Sequence, residues 1–210
     1  MKILITGAAG DIGSRLVAHL SGMADVDLYT TALCGLRVSA TSTHRDFDIR
    51  DSDFLRWVEE IIPDVVIHLA SIIKLPESMT EQEAREIDVI ATDKLLNVCV
   101  RCGVGKFIVT SSGAAYGYWP DNPDWITEAD PIRGNDDYFY SKHKKEVELL
   151  LARYRKQSPE LKQVVLRPGT VLGPNFENPI TNIFEKNIIT GIAGSDSPFV
   201  IIWVDDLVDY

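Results

Sequence analysis

Cysteine and long apolar runs are scarce in this sequence, and each scarcity restricts the class of protein. The chain has 3 cysteines among 210 residues. An odd number in a chain of this length argues against a disulfide framework and indicates a reducing compartment. No apolar run approaches the length that spans a bilayer, and the N-terminal segment lacks the long apolar stretch of a secretory signal. We therefore expect a cytoplasmic protein with no membrane partner.

Positive charge is scarce as well. The chain has 21 basic and 31 acidic residues, a net charge of -10, so its surface is a poor match for a nucleic-acid backbone. The histidines and cysteines show no grouping that would hold a metal ion, because Cys99 and Cys102 lack a second pair of ligands. The hydrophobic content of 45% is ordinary for a globular domain. We expect no nucleic-acid partner and no metal site.

Short apolar runs alternate with helical patterns along the chain. The runs predict strands at 2–6, 26–31, 44–49, 65–70, 106–111 and 163–167, and the periodicities between them predict helices at 11–20, 51–62, 80–102 and 138–157. Strands that are apolar throughout are buried on both faces and joined in parallel. The predicted fold is therefore α/β, a doubly wound parallel sheet with helices on both faces. Ligands of such sheets bind at the carboxyl ends of the strands.

Three glycines follow the first predicted strand. Gly7, Gly10 and Gly13 stand between that strand and the next helix with the spacing G-x-x-G-x-x-G. Glycines allow a tight turn and close backbone approach, and the amides and dipole of a helix start favour a pyrophosphate. A purely structural turn is the weaker interpretation of glycines in this position. The segment predicts a dinucleotide-binding loop.

Four further segments extend this pattern. They are 64–70 (DVVIHLA), 110–117 (TSSGAAYG), 166–174 (LRPGTVLGP) and 203–207 (WVDDL). With the glycine loop, they resemble the extended and atypical short-chain dehydrogenase/reductase families, the group of NAD-dependent epimerases/dehydratases. The resemblance covers essentially the whole chain. It implies a Rossmann-type fold that binds a nicotinamide dinucleotide.

The resemblance implies a cofactor site and leaves the choice between NAD and NADP open. An acidic residue at the end of strand two would bind the ribose hydroxyls, whereas a basic one would accommodate a 2′-phosphate. Here Thr31 stands at that end and Arg37 follows, and a solvated loop position for Arg37 is an equal alternative. The expected cofactor-binding residues are Gly7, Gly10, Asp11, Ile12, Gly13, Thr31, Arg37, Asp48, Ile49, Leu69, Ala70, Ser71, Tyr140, Lys144 and Pro168.

The resemblance also implies catalysis by a serine, a tyrosine and a lysine. The lysine stands four residues after the tyrosine, about one helical turn, so the two side chains share a face. The lysine ammonium would favour the phenolate, and the tyrosine would exchange a proton with a substrate hydroxyl or carbonyl. The expected serine is Ser112, with Ser111 as the fallback.

Two overlapping pairs offer the tyrosine and the lysine, namely Tyr138 with Lys142 and Tyr140 with Lys144. Steps of three and four residues back from the apolar positions 147 and 151 lead to Lys144 and Tyr140. Lys142 instead shares its side of the helix with position 146, a glutamate that does not suit a buried stripe. We predict Tyr140 and Lys144 as the catalytic pair and keep the other pair in reserve.

These predictions combine into one expected function. Residues 1–168 are predicted to bind NAD or NADP, and residues 169–210 to begin a substrate-binding region that is truncated relative to the family. We expect an NAD(P)-dependent epimerase/dehydratase-type oxidoreductase that acts on a hydroxyl or carbonyl carbon of a small molecule, a nucleotide sugar being the leading class. The alternatives are an NADPH-dependent carbonyl reductase and a non-catalytic dinucleotide-binding sensor or scaffold. The resemblance also implies a homodimer, in which the two long helices, 80–102 and 138–157, pair across a twofold axis.

Overall fold

The structure is a computed structural model. It describes residues 1–33, 42–174, 176, 181–184, 187–188, 194 and 199–210. Arg37, one of the expected cofactor-binding residues, lies outside the described residues.

A six-stranded parallel sheet with the order β3-β2-β1-β4-β5-β6 forms the centre of the molecule. Its strands are β1 (Lys2–Thr6), β2 (Asp27–Ala32), β3 (Ser42–Asp46), β4 (Val65–His68), β5 (Lys106–Thr110) and β6 (Lys162–Leu166). The central strand is apolar on both sides, and Leu4 and Ile5 are fully buried on opposite faces. The prediction of a doubly wound parallel sheet is confirmed. The strand order reverses between β1 and β4, which is where such sheets bind ligands.

Helices cover both faces of the sheet. They are α1 (Asp11–Leu20), α2 (Ser52–Ile61), α3 (Glu81–Arg85), α4 (Ala91–Cys102) and α5 (Phe139–Gln157). One face carries α2, α4 and α5, whose buried side chains surround Leu4 and Phe107. The other carries α1, whose Val17 packs against Ile3 and Ile5. Val147 and Leu151 of α5 are buried, as the periodicity of the sequence predicted.

The predicted helix 80–102 is continuous but not uniformly α-helical. A capping box between Thr80 and Glu83 starts it, and residues Glu86–Ile90 between α3 and α4 form a π-helical segment. Such a segment adds one residue to a turn, and it is frequent at functional sites. Asp88 lies within this segment and is buried, at 5% exposure. A prediction that assumes 3.6 residues per turn does not anticipate the π-helical segment itself.

Strand boundaries differ from the predictions by a few residues. The largest shift is in β3, predicted at 44–49 and observed at Ser42–Asp46. Asp48 and Ile49 therefore follow the strand instead of ending it. Likewise β4 stops at His68, so that 69–71 form a loop at the carboxyl end of the strand.

The C-terminal part adds a second, smaller sheet. Strands β7 (Thr170–Leu172) and β8 (Ile201–Trp203) pair in parallel, and the helices α6 (Thr181–Phe184) and α7 (Val204–Asp209) belong to the same part of the chain. Val204 and Leu207 of α7 pack with Ile12 of α1. The division of the chain after residue 168 stays a prediction. No helix within the described ranges is both long and apolar enough to cross a membrane.

Candidate functional site

The glycine loop lies at the switch point of the sheet. Gly7 has a φ of +69°, and a Cβ added there would lie 2.6 Å from the Ala70 amide nitrogen. A Cβ added at Gly13 would lie 2.2 Å from the Gly7 carbonyl oxygen. Gly10 is exposed and caps the start of α1. The tight packing of the loop leaves the start of α1 open. A pyrophosphate would fit there, because the unpaired amides of the first helical turn and the positive end of the helix dipole both point to that position.

Residues at the carboxyl end of β2 and just after β4 lie beside this loop. The Ala8 amide donates to the Thr31 carbonyl oxygen at 3.1 Å. The Thr31 and Ser71 hydroxyls are buried without a hydrogen-bond partner among the described residues. Buried polar atoms are usually paired, so two such hydroxyls beside a glycine loop are consistent with a polar ligand. Leu69 and Ala70 line the same edge, half-buried.

The remaining cofactor candidates have mixed environments. Asp48 forms a bidentate ion pair with Arg50 at 2.5–3.0 Å, and this contact holds the pKa of its carboxyl below the usual value. Ile49 belongs to the hydrophobic core at 7% exposure, and its contact with the cofactor stays a prediction. The Asp11 side chain is exposed in the first turn of α1. Pro168 is half-buried, and its carbonyl accepts from the Gly113 amide at 3.0 Å.

Ser112, Tyr140 and Lys144 come together where β5 ends beside α5. Lys144 is 7% exposed, and its Nζ donates to the Thr110 carbonyl at 3.0 Å. The same Nζ lies 5.5 Å from the centroid of the Tyr140 ring. The Ser112 hydroxyl lies near enough to the Tyr140 phenol to lower its pKa, and it accepts from the Ala114 amide at 3.1 Å. This last bond caps a 3₁₀ turn at Gly113–Tyr116, which holds the serine in place.

The reserve pair lies on the surface. Tyr138 is 43% exposed, and Lys142 forms a 2.7 Å ion pair with Glu81 at the outer side of α5. Ser111, the fallback serine, is 1% exposed, and its hydroxyl has no partner within the described part of the chain. The geometry therefore brings the preferred three side chains together and leaves Tyr138 and Lys142 outside the group.

Burial dominates the electrostatics of this group. It raises the pKa of Tyr140 to about 12, against the opposing effect of the Ser112 hydroxyl. It also lowers the pKa of Lys144, whereas the negative charges of Asp88 and Glu148 raise it. The sequence predicted that the ammonium would lower the tyrosine pKa. In this structure desolvation has the largest effect on the Tyr140 pKa and raises it, because removing a phenolate from water is costly.

Two buried pairs around the group were not identified from the sequence. In the first, Arg167 binds Glu148 through Nε and Nη2 at 2.7 and 2.8 Å, while its Nη1 donates to the Tyr116 hydroxyl at 2.7 Å. The spacing of Glu148 four residues after Lys144 was the available signal for it. In the second, His143 Nδ1 lies 2.9 Å from Asp88 Oδ2. No sequence signal indicated this pair, because its partners are 55 positions apart in the chain.

Comparison with known proteins gives a consistent family. The sequence model of the NAD dependent epimerase/dehydratase family matches residues 3–204. The chain is 30% identical to a UDP-glucose 4-epimerase of Mycolicibacterium smegmatis, covering 100% of this chain and 71% of the relative. It is 28% identical to a dTDP-glucose 4,6-dehydratase of Streptomyces antibioticus, covering 91% and 60%.

Solved structures have the same fold. A UDP-glucose 4-epimerase of Thermotoga maritima with UDP-glucose superposes with a TM-score of 0.83 at 25% identity, over 100% of this chain and 71% of that one. A UDP-glucuronic acid 4-epimerase of Bacillus cereus, in complex with UDP-glucuronic acid and NAD, superposes with a TM-score of 0.79 at 25% identity, over 99% and 71%.

The chain spans only part of these relatives. It covers 71% of the M. smegmatis epimerase, 60% of the S. antibioticus dehydratase and 44% of a UDP-glucose 4-epimerase of Streptomyces lividans. The matched part contains the glycine loop, the serine turn and α5. On this agreement of sequence and fold, the chain belongs to the NAD dependent epimerase/dehydratase family of enzymes.

Proposed function

We propose that this chain uses a nicotinamide dinucleotide to epimerise or dehydrate a nucleotide sugar. The observation that carries the proposal is the convergence of Ser112, Tyr140 and Lys144 beside the glycine loop, at the carboxyl ends of β1, β4 and β5. The Tyr140 phenol provides the acid/base group, and the Ser112 hydroxyl and the Lys144 charge support it.

The dinucleotide fits the residues at the switch point. The first amides of α1, beside Gly10 and Gly13, would hold its pyrophosphate, and the free hydroxyls of Thr31 and Ser71 would meet its sugar and amide groups. When bound, the dinucleotide supplies hydride transfer to and from a substrate carbon. Calorimetric titration of the purified chain with NADH and NADPH separately tests this assignment. Saturable binding of either supports it, and binding of neither contradicts it.

The three side chains divide the proton chemistry. Tyr140 would take a proton from a substrate hydroxyl or return it to a carbonyl through its phenol oxygen. Ser112, whose hydroxyl lies near the Tyr140 phenol, would orient the same substrate oxygen. Lys144 would stabilise the phenolate with its charge, from its position 5.5 Å from the ring centroid.

Nucleotide sugars are the proposed substrate class because the relatives act on them. The related enzymes are named for UDP-glucose, UDP-glucuronic acid and dTDP-glucose. The test is incubation with NAD⁺ and each of these three compounds, followed by chromatographic separation of the sugar nucleotides. A new epimer or a dehydrated product, absent with Tyr140→Phe, is the expected result. Consumption of NADPH by simple ketones without conversion of any sugar nucleotide would favour the carbonyl reductase instead.

We also propose a homodimer formed by the layer of α4 and α5. Ion pairs tie the long helix 81–102 to α5, and these pairs are Glu81–Lys142, Arg85–Glu146 and Asp93–Arg153. Leu149 stands on the outer side of this layer at 55% exposure. Light scattering of the 23.4 kDa chain should give twice the monomer mass. Leu149→Arg should reduce it to the monomer, and Met23→Arg, at another exposed site, should not.

The cytoplasmic location remains a prediction. Cys99 and Cys102 are free thiols. Their state supports a reducing compartment.

A further inference from the structure

A chain of buried polar side chains runs beneath the proposed catalytic group. Thr6 Oγ1 lies 2.7 Å from His68 Nδ1, and His68 Nε2 lies 2.8 Å from Thr92 Oγ1. The Thr92 hydroxyl donates to the Asp88 main-chain carbonyl at 2.7 Å. Thr6 and Thr92 are at most 1% exposed, and none of the four side chains is more than 5% exposed. Burying polar groups this deeply costs free energy unless they serve an interaction. The presence of these four polar side chains in the interior therefore calls for an explanation.

Asp88 is the charged member of the chain, and two donors fix its carboxylate. Oδ1 accepts from the Ile72 amide at 2.8 Å, and Oδ2 lies 2.9 Å from His143 Nδ1. Ile72 follows the 69–71 loop at the cofactor edge, and His143 directly precedes Lys144 on α5. Asp88 therefore connects the cofactor edge of the sheet with the helix that carries the lysine.

His143 serves Asp88 as a hydrogen-bond donor. Its side chain is 1% exposed, and its Nε2 has no hydrogen-bond partner among the described residues. A doubly protonated ring would leave a buried N–H unpaired, which costs more than an unpaired lone pair. The neutral ring with its proton on Nδ1 satisfies the geometry. The negative charge of Asp88 is therefore not cancelled by His143.

Lys144 faces few other charges. Asp88 and Lys144 line one small cavity together with His68 and Thr110. His68 is neutral there at neutral pH, because burial lowers its pKa to about 4. Glu148 on α5 acts on Lys144 as well, but Arg167 of the β6 end occupies both of its carboxylate oxygens. Asp88 is thus the carboxylate near Lys144 that forms no ion pair with a cation in the described structure.

We propose that Asp88, oriented by His143 and by the Ile72 amide, acts on the reaction through Lys144: across the cavity that both side chains line, its carboxylate keeps the buried Lys144 ammonium protonated beside Tyr140. The inference deepens the proposed function and rests on it for the role of Lys144.

The direct test is a pH titration of Lys144 by NMR, with lysine labelled at the ε-carbon and the resonance assigned through Lys144→Met. Asp88→Asn keeps the shape of the side chain and removes its charge. We expect the midpoint of Lys144 to fall by about half a pH unit or more. Thr92→Val is the matched control, because it removes a hydroxyl from the same cavity without changing charge, and its midpoint should equal that of the wild type. An unchanged midpoint in Asp88→Asn overturns the proposal.

A measurement on the wild-type chain guards against a variant that does not fold. The Asp88 side-chain carbon should report the deprotonation of Lys144 at the lysine's own midpoint, because the two charges interact across one cavity. An Asp88 resonance that does not respond at that pH contradicts the proposal.

Turnover adds an independent readout. Loss of the Asp88 charge removes a negative group from both Tyr140 and Lys144, so both limbs of the pH profile of kcat should move to lower pH in Asp88→Asn. A variant that is merely less stable would lose amplitude without moving the limbs, and that result would overturn the proposal. If no substrate is turned over at all, the proposed function fails, while the NMR titration still decides the relation between Asp88 and Lys144.

Discussion

Lys144 Nζ lies 5.5 Å from the centroid of the Tyr140 ring, and the two side chains are one helical turn apart on the inner side of α5. Two residues earlier on the same helix, Tyr138 and Lys142 have the same spacing and lie at the surface. The two pairs have the same spacing and different burial. Tyr138 is therefore a matched control for Tyr140.

Tyr140→Phe should reduce turnover by about 10²–10⁴-fold, because it removes the proposed proton donor and acceptor while keeping the ring. Tyr138→Phe is the matched control and should leave turnover close to that of the wild type. Calorimetry should show that both variants still bind the dinucleotide. Loss of turnover in Tyr138→Phe with Tyr140→Phe active would mean that the reserve pair is the catalytic one.

Gly13→Ala should abolish dinucleotide binding and lower stability. The new Cβ would lie 2.2 Å from the Gly7 carbonyl oxygen and 2.9 Å from the Ala8 Cα, so the loop must move away from the start of α1. Gly22→Ala is the control, since its nearest neighbour would be the His19 carbonyl oxygen at 3.7 Å. Calorimetry with NADH and thermal unfolding report the two effects. Wild-type affinity in Gly13→Ala would contradict the assignment of this loop.

Glu148→Gln should destabilise the fold by about 3 kcal/mol, because it leaves the Arg167 guanidinium without its carboxylate in a largely buried site. Glu81→Gln breaks an exposed pair with Lys142 and should change the free energy of unfolding little. Urea unfolding of the two variants measures the difference. Equal effects would mean that the Arg167 pair is no more than a surface contact.

Acid should destabilise the protein through His68. Burial lowers the pKa of His68 from 6.5 to about 4, so between these values the unfolded chain binds a proton that the folded chain does not. Stability therefore falls as the pH falls from about 6.5 to 4, by about 3 kcal/mol in total from this group.

Urea unfolding across this pH range tests the His68 prediction. In His68→Gln the loss of stability between pH 6.5 and 4 should be smaller than in the wild type, because the titrating ring is gone. The comparison concerns the slope with pH, so a constant cost of the substitution does not affect it. Identical slopes would show that His68 takes up its proton equally in both states.

The sequence alone determined the strand and helix alternation, the glycine loop and the choice of inner face on α5. These are local properties: apolar runs make buried strands, glycines make the tight turn, and positions 147 and 151 mark a buried stripe that includes Tyr140 and Lys144. Tertiary contact was not needed to recognise them, and the structure has the predicted fold.

Only the tertiary structure decided which side chains surround Tyr140 and Lys144. The His143–Asp88 and Arg167–Glu148 pairs join residues 55 and 19 positions apart, so no spacing within one helix predicts both partners. Asp88 lies in a π-helical segment, residues 86–90, which a regular helical period does not reveal. The pKa of Tyr140, raised to about 12, depends on how much water the packed chain excludes. Local pattern specifies which residues can meet, and the packing of distant segments specifies the charge and dielectric environment in which they meet.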